Sequence, residues 1–151
     1  MLSKFKRNKH QQHLAQLPKL SQSVADFTTL YTPADFRQTL LEKIASATTR
    51  ICLVALYLEN DDGGRAILSA LYEAKRLRPG LDVRILVDWH RAQRGRIGAS
   101  RGATNADWYC EMAEQNADIA IPVYGVPVNT REALGVLHLK GSVIDDTLLY
   151  T

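Results

Sequence analysis

Apolar positions along the chain switch between two rhythms. Phe36, Leu40, Leu41 and Ile44 recur three or four apart, the spacing of one helix face. Thr32-Pro33-Ala34-Asp35 stands just ahead of them, with Thr32 placed to cap and Pro33 to open the first turn. Ile51 to Leu58 is instead a continuous apolar run, as in a buried strand. Asp61-Asp62-Gly63-Gly64 breaks that run, and Ile67, Leu68, Leu71 and Tyr72 restore helical spacing until Pro79-Gly80. Val83 to Val87 makes the next strand. Strand, helix and strand in succession predict a parallel pair joined by a right-handed crossover. A third helix is expected over about residues 106–115 and a short strand near residues 119–124. Val136 to Ile144 reads as a strand, Asp145-Asp146-Thr147 as a turn and Leu148-Leu149-Tyr150 as a return strand, so the chain is expected to close on a β-hairpin.

These elements describe an α/β sandwich. The 151 residues suit a single core, and a hydrophobic fraction of 46% argues against disorder. No apolar run approaches the roughly 20 residues that span a bilayer, and the basic start has no apolar stretch behind it to make a secretory signal. Cys52 and Cys110 stand in unlike contexts, which fits free thiols in a reducing cytoplasm. The net charge of +3 is unevenly spread: Lys4, Lys6, Arg7, Lys9 and Lys19 fall in the first 20 residues without an acid. Residues 1–25 are therefore read as a basic arm and residues 26–151 as the folded domain. Such an arm suits anionic lipid or nucleic acid, or is simply a solvated terminus.

The chemistry concentrates near the end. His138, Lys140 and Asp145 stand in the spacing H-x-K-x-x-x-x-D. A neutral imidazole can attack phosphorus, and a lysine ammonium can hold the non-bridging oxygens of the same phosphate. A carboxylate can fix a histidine tautomer. Strand alternation would put His138, Lys140 and Ser142 on one face, over an apolar face of Leu137, Leu139 and Val143. An exposed strand that merely carries a His and a Lys would show the same pattern. Between the second strand and the third helix, residues 88–102 hold Arg91, Arg94, Arg96 and Arg101 among three glycines. Such a loop at a strand's carboxyl end is placed to bind phosphate, or else is a solvated loop.

The triad resembles the HKD signature of the phospholipase D superfamily. Longer strings resemble one branch of it, the bacterial phosphatidylserine synthases of the enterobacterial type. They include Met1 to His10, Val54-Ala55-Leu56-Tyr57-Leu58, Val87 to Gly98, Asn105-Ala106-Asp107-Trp108-Tyr109-Cys110 and Arg131 to His138. The resemblance implies a phospholipase D-like α/β sandwich, a mixed sheet flanked by helices. It implies transfer of a phosphatidyl group from CDP-diacylglycerol to L-serine, giving phosphatidylserine and CMP without metal or cofactor. His138 would form a phosphatidyl-histidine and Lys140 would steady the phosphoryl oxygens, with Asp145 completing the catalytic set. Arg91, Arg94, Arg96 and Ser142 would bind substrate. A lipid substrate implies a cytoplasmic protein docked peripherally on an anionic membrane through its arm, with nucleic acid not expected as a substrate.

Family members carry two HKD motifs and this chain carries one. It is therefore expected to be the first HKD half of a longer fold, cut inside a hairpin. A homo-oligomer could bring two copies of His138 together, as single-motif members of the superfamily do. Two other readings stand beside the phosphatidyltransferase: another HKD phosphodiesterase, a phospholipase or nuclease using water, and an inactive fragment that still binds membranes.

Overall fold

A computed structural model describes residues 11–95, 103–128 and 137–151. The chain divides into two compact units, residues 1–31 and residues 32–151. In the first, residues 11–16 are helical and a 3-10 turn, Val24–Asp26, is closed by a capping box between Ser23 and Asp26. Leu14, Leu17, Leu20, Val24, Phe27 and Tyr31 are all exposed there.

The second unit runs α1 (Pro33–Ser46), β1 (Arg50–Ala55), α2 (Asp62–Leu77), β2 (Asp82–Asp88), α3 (Trp89–Ala92), α4 (Asn105–Gln115), β3 (Val123–Val126), β4 (Gly141–Ile144) and β5 (Thr147–Leu149). Its starts are written in side-chain chemistry. Thr32 caps α1 in a capping box with Asp35, and Pro33 fills the position where a missing N–H costs nothing. Thr104 and Asp107 repeat the box at α4. Asp61 caps α2 by accepting from the Gly64 N–H, so the Asp-Asp-Gly-Gly string that reads as a break is the helix's first turn.

The sheet order is β3-β2-β1-β4-β5. β1, β2 and β3 are parallel; β4 runs antiparallel to β1, and β5 to β4. The expected parallel unit and closing hairpin are both present. Register puts Ile51 and Leu53 beside Val83 and Ile85 on one side and beside Ile144 and Ser142 on the other, all on one buried face. Leu68, Leu71 and Tyr72 of α2 and Trp108 and Tyr109 of α4 complete the core. The opposite face, with Cys52, Val54, Leu86 and Val143, is only partly covered, and Tyr124 and Leu148 are exposed on it. β1 is therefore apolar from Ile51 onward but deeply buried on one side only, and it ends at Ala55 rather than Leu58.

The loop from β1 to α2 is held from two sides. The Tyr109 hydroxyl donates to the Leu58 carbonyl at 2.6 Å and accepts from the Leu58 N–H at 2.9 Å. Burial pushes this phenol up to about 12, so it stays neutral and keeps its donor proton. Buried Asn105 accepts from the Asn60 N–H at 3.1 Å. Behind the loop, a Cβ on Gly64 would fall 1.9 Å from the Glu59 carbonyl oxygen. Backbone meets backbone there, and neither can swing aside. Gly64→Ala is expected to cost about 1–3 kcal/mol or more, read as a lower midpoint in urea unfolding. Gly63→Ala, where the nearest atom is 3.4 Å away, is expected to change the midpoint little.

Candidate active site

Open parallel sheets bind ligands beyond the carboxyl ends of their strands, and β1, β2 and β3 share one such edge. β4 begins at that edge, with Gly141 opposite Val54. The strand does not extend upstream as Val136 to Ile144 predicts. It starts at Gly141, opposite Val54, close to where β1 itself ends at Ala55; past that end the Leu56 carbonyl still accepts from the Asp88 N–H of β2 at 3.0 Å. Residues 137–140 instead leave β1, and the Leu137 N–H donates to Asp88 Oδ2 at 2.8 Å. Because β1 lies between β4 and β2, this segment crosses the carboxyl end of β1. His138, Leu139 and Lys140 are exposed on that crossing.

Ser142 is not with them. It is 5% exposed, on the same face as Ile144, between Leu53 of β1 and Leu149 of β5. Alternation starts only where the strand starts, so the face expected to join His138, Lys140 and Ser142 does not form. Val136 lies outside the described residues.

Asp88 organises the other side of the edge. Its Oδ1 accepts from the Arg91 N–H at 2.9 Å and caps α3, while Oδ2 holds Leu137. The side chain is 1% exposed. Burial alone would raise its carboxyl, but the Leu137 and Arg91 N–H groups and the charge of His90 outweigh that. Asp88 is held below the usual carboxylate range and stays ionised at neutral pH. Trp89 meets the His90 ring edge-on at 5.0 Å and lies over β3, where Gly125 leaves room for the indole. Part of the arginine loop is thus a short helix. Arg91 is half-buried on it, with its Nε enclosed and without a hydrogen-bond partner. Arg94 follows, exposed, its carbonyl accepting from the Asn105 N–H at 3.1 Å. Arg96 and Arg101 lie outside the described residues. One carboxylate therefore joins the arginine helix to the segment bearing His138 and Lys140.

The chain is 76% identical over its whole length to the CDP-diacylglycerol–serine O-phosphatidyltransferase of Escherichia coli strain K12, and covers 34% of that protein. It is 45% identical to the enzyme of the same name from Haemophilus influenzae, covering 33% of it. The crystal structure of a phosphatidylserine synthase from Haemophilus influenzae overlays on 96% of this chain with a TM-score of 0.85 at 44% identity, across 32% of that structure's chain. The chain matches one third of a phosphatidylserine synthase. No family model matches it. The expected α/β fold, a mixed sheet with helices packed on it, is the fold shared with the Haemophilus synthase over this third.

In that shared fold Asp145 stands far from His138. It sits at the opposite end of β4, beside Arg50 at the start of β1. Its carboxylate accepts five hydrogen bonds of 2.7–3.0 Å, from the N–H and hydroxyl of Thr48, the N–H and hydroxyl of Thr49, and the Arg50 N–H. Its carbonyl accepts from the Arg50 guanidinium, and its N–H donates to the Arg50 carbonyl. The residue opens the hairpin turn at φ 49°, a conformation Asp tolerates better than most residues. The structure brings His138, Lys140, Arg91 and Arg94 to one edge and leaves Asp145 at the other.

Asp88 is the residue the sequence reading missed. Its signal was present: a carboxylate at a strand end, three residues before Arg91, is an N-cap pattern. Its second bond, to Leu137, spans 49 residues and leaves no local trace. Among the described residues no three His, Cys, Asp or Glu side chains converge as a metal site.

The Arg50 N–H, the Thr49 hydroxyl and the Thr48 and Thr49 N–H groups hold the Asp145 carboxyl far below the usual carboxylate range. A carboxyl depressed in the folded state stabilises the fold above its unfolded value, near 3.9, and loses that contribution as pH falls further. Asp145→Asn keeps tolerance of the positive φ but discards the charge and turns one of the two acceptor oxygens into a donor. It is expected to lower the Tm at pH 7, with the gap to the parent narrowing below about pH 4.

Proposed function

We propose that the chain carries the nucleophilic half of a phosphatidyltransferase acting on CDP-diacylglycerol and L-serine. The observation that carries this reading is the carboxyl edge itself: an exposed imidazole and ammonium two residues apart, on a segment held by the same carboxylate that caps the short helix bearing Arg91. The 76% identity to the Escherichia coli enzyme over the whole chain supports it. A neutral imidazole nitrogen of His138 attacks the diacylglycerol-bearing phosphorus, the bond to CMP breaks, and a phosphatidyl-histidine remains. Lys140, with Arg91, Arg94 and Arg96, holds the phosphate oxygens as charge builds on them. The serine hydroxyl then attacks the same phosphorus, loses its proton, and releases phosphatidylserine and the neutral imidazole. Asp145 and Ser142 serve this site through the strand between them rather than by touching substrate.

The chain spans about a third of the length of the curated relatives it matches. A group that protonates departing CMP would come from the remainder of such a protein or from a second copy of this chain. The substrate is a bilayer lipid, and among the described residues no helix is long and apolar enough to cross a membrane. Peripheral docking on the cytoplasmic face of an anionic membrane follows from the arm. Four basic residues without an acid lead into exposed Leu14, Leu17, Leu20, Val24 and Phe27, with Lys19 among them, a basic and apolar pairing suited to a headgroup boundary.

CMP release from CDP-diacylglycerol in mixed micelles tests the chemistry. Release is expected to depend on L-serine, to vanish in His138→Ala, and to fall about 10²–10³-fold in Lys140→Ala. Serine-independent hydrolysis of phosphatidylcholine or DNA would replace this reading with a water-using phosphodiesterase. Membrane docking is tested by flotation on vesicles. Binding to anionic vesicles is expected to weaken sharply between 50 and 500 mM salt and to persist in His138→Ala, whereas equal binding to neutral vesicles would contradict an electrostatic arm.

A further inference from the structure

We infer that Asp88 is a positioning residue for the nucleophile, setting where His138 stands relative to the arginine helix through two separate backbone bonds. The inference rests on the reading of His138 as the nucleophile, and three observations carry it. The Asp88 side chain is 1% exposed, so its bonds do not compete with bulk water. Its two oxygens serve different elements: Oδ1 takes the Arg91 N–H and Oδ2 takes the Leu137 N–H, the residue directly before His138. Residues 137–140 have left the β1 ladder, so the Asp88 bond fixes the start of the crossing as the ladder from Gly141 fixes its end.

The two bonds separate by chemistry. A carboxylate accepts at both oxygens, while a carboxamide has one acceptor and one donor. Asp88→Asn can therefore satisfy only one of the two N–H groups. Asn is a good helix cap, so the bond within α3 survives and the one to Leu137 is replaced by two donors facing each other. Asp88→Ala loses both. A purely structural Asp88 would cost stability in proportion to the bonds lost and leave the surviving folded molecules alike. A positioning Asp88 changes the His138 segment itself in a molecule whose core is intact.

Amide hydrogen exchange with histidine-edited NMR on this chain decides between them. In the parent the Leu137 amide is expected to exchange slowly and His138 to give one sharp ring signal. In Asp88→Asn the Leu137 amide should exchange about tenfold faster or more, and the His138 signal should shift or broaden. The amides of Val83, Ile85 and Leu71 should keep their protection. Unchanged exchange at Leu137 together with an unchanged His138 signal overturns the inference. Loss of protection throughout the core also overturns it, by making Asp88 a stability residue. Serine-dependent CMP release supplies the kinetic arm: kcat should fall about tenfold to a hundredfold in Asp88→Asn with KM within threefold. A parent that releases no CMP would count against the phosphatidyl-transfer reading alone, and the exchange experiment would still decide the positioning role.

Discussion

The candidate site's edge depends on the antiparallel register between β1 and β4. Four residue pairs, Ile51 with Ile144 through Val54 with Gly141, fix how far β4 reaches along its neighbour. That reach decides where the chain leaves the sheet and so where His138 and Lys140 stand. A slip of one residue would turn Ser142 and Ile144 out of the core and move the site by a strand's width of side chains. The register is held by more than the apolar match. At one end Asp145 gathers the N–H groups of Thr48, Thr49 and Arg50; at the other Asp88 gathers Leu137. Two carboxylates at opposite ends of the sheet, neither of them exposed to reacting atoms, keep a short strand from sliding.

The electrostatics of the edge follow from that arrangement. Asp88 is the buried negative charge at a surface otherwise supplied with cations, Arg91, Arg94 and Lys140. It is satisfied by the Leu137 and Arg91 N–H groups and by neighbouring His90. Its two oxygens are served by backbone donors, so the carboxylate does not depend on the cations around it. Of those cations, Arg91 has its Nε enclosed and unpartnered. A site meant to grip a transferring phosphoryl group benefits from donors already fixed before the substrate arrives. The rigid loop between β1 and α2, pinned by Tyr109 and Asn105, closes the same edge from the other side.

Local chemistry was legible at the first helix. Thr32-Pro33 located the start of α1, and the apolar runs at Ile51 and Val83 located the parallel pair. What escaped was decided by distant partners. The Asp61–Gly64 string is a cap only because Glu59 and α2 fold around Gly64. β4 starts at Gly141 rather than at residue 136, near where its partner β1 ends, and the Leu137 N–H turns to Asp88 instead, a bond that no pattern within Val136–Ile144 records. The same displacement explains the site. His138 and Lys140 came out exposed at the edge, while Ser142 and Asp145, grouped with them by spacing, serve the core and the hairpin turn. Sequence spacing brought three residues into one motif; the fold leaves His138 and Lys140 before β4 and puts Asp145 just past its other end.

The central claim is that His138 is the atom bearer to which the phosphatidyl group is transferred. Its most direct test is to capture that adduct: mix the chain with CDP-diacylglycerol in the absence of serine, quench in alkali where phosphoramidates survive, and map the modified residue by mass spectrometry. The account requires a phosphatidyl group on His138 that disappears, with formation of phosphatidylserine, when L-serine is added before the quench. An adduct on another residue, or CMP release with no covalent adduct and no loss of rate in His138→Ala, would contradict it.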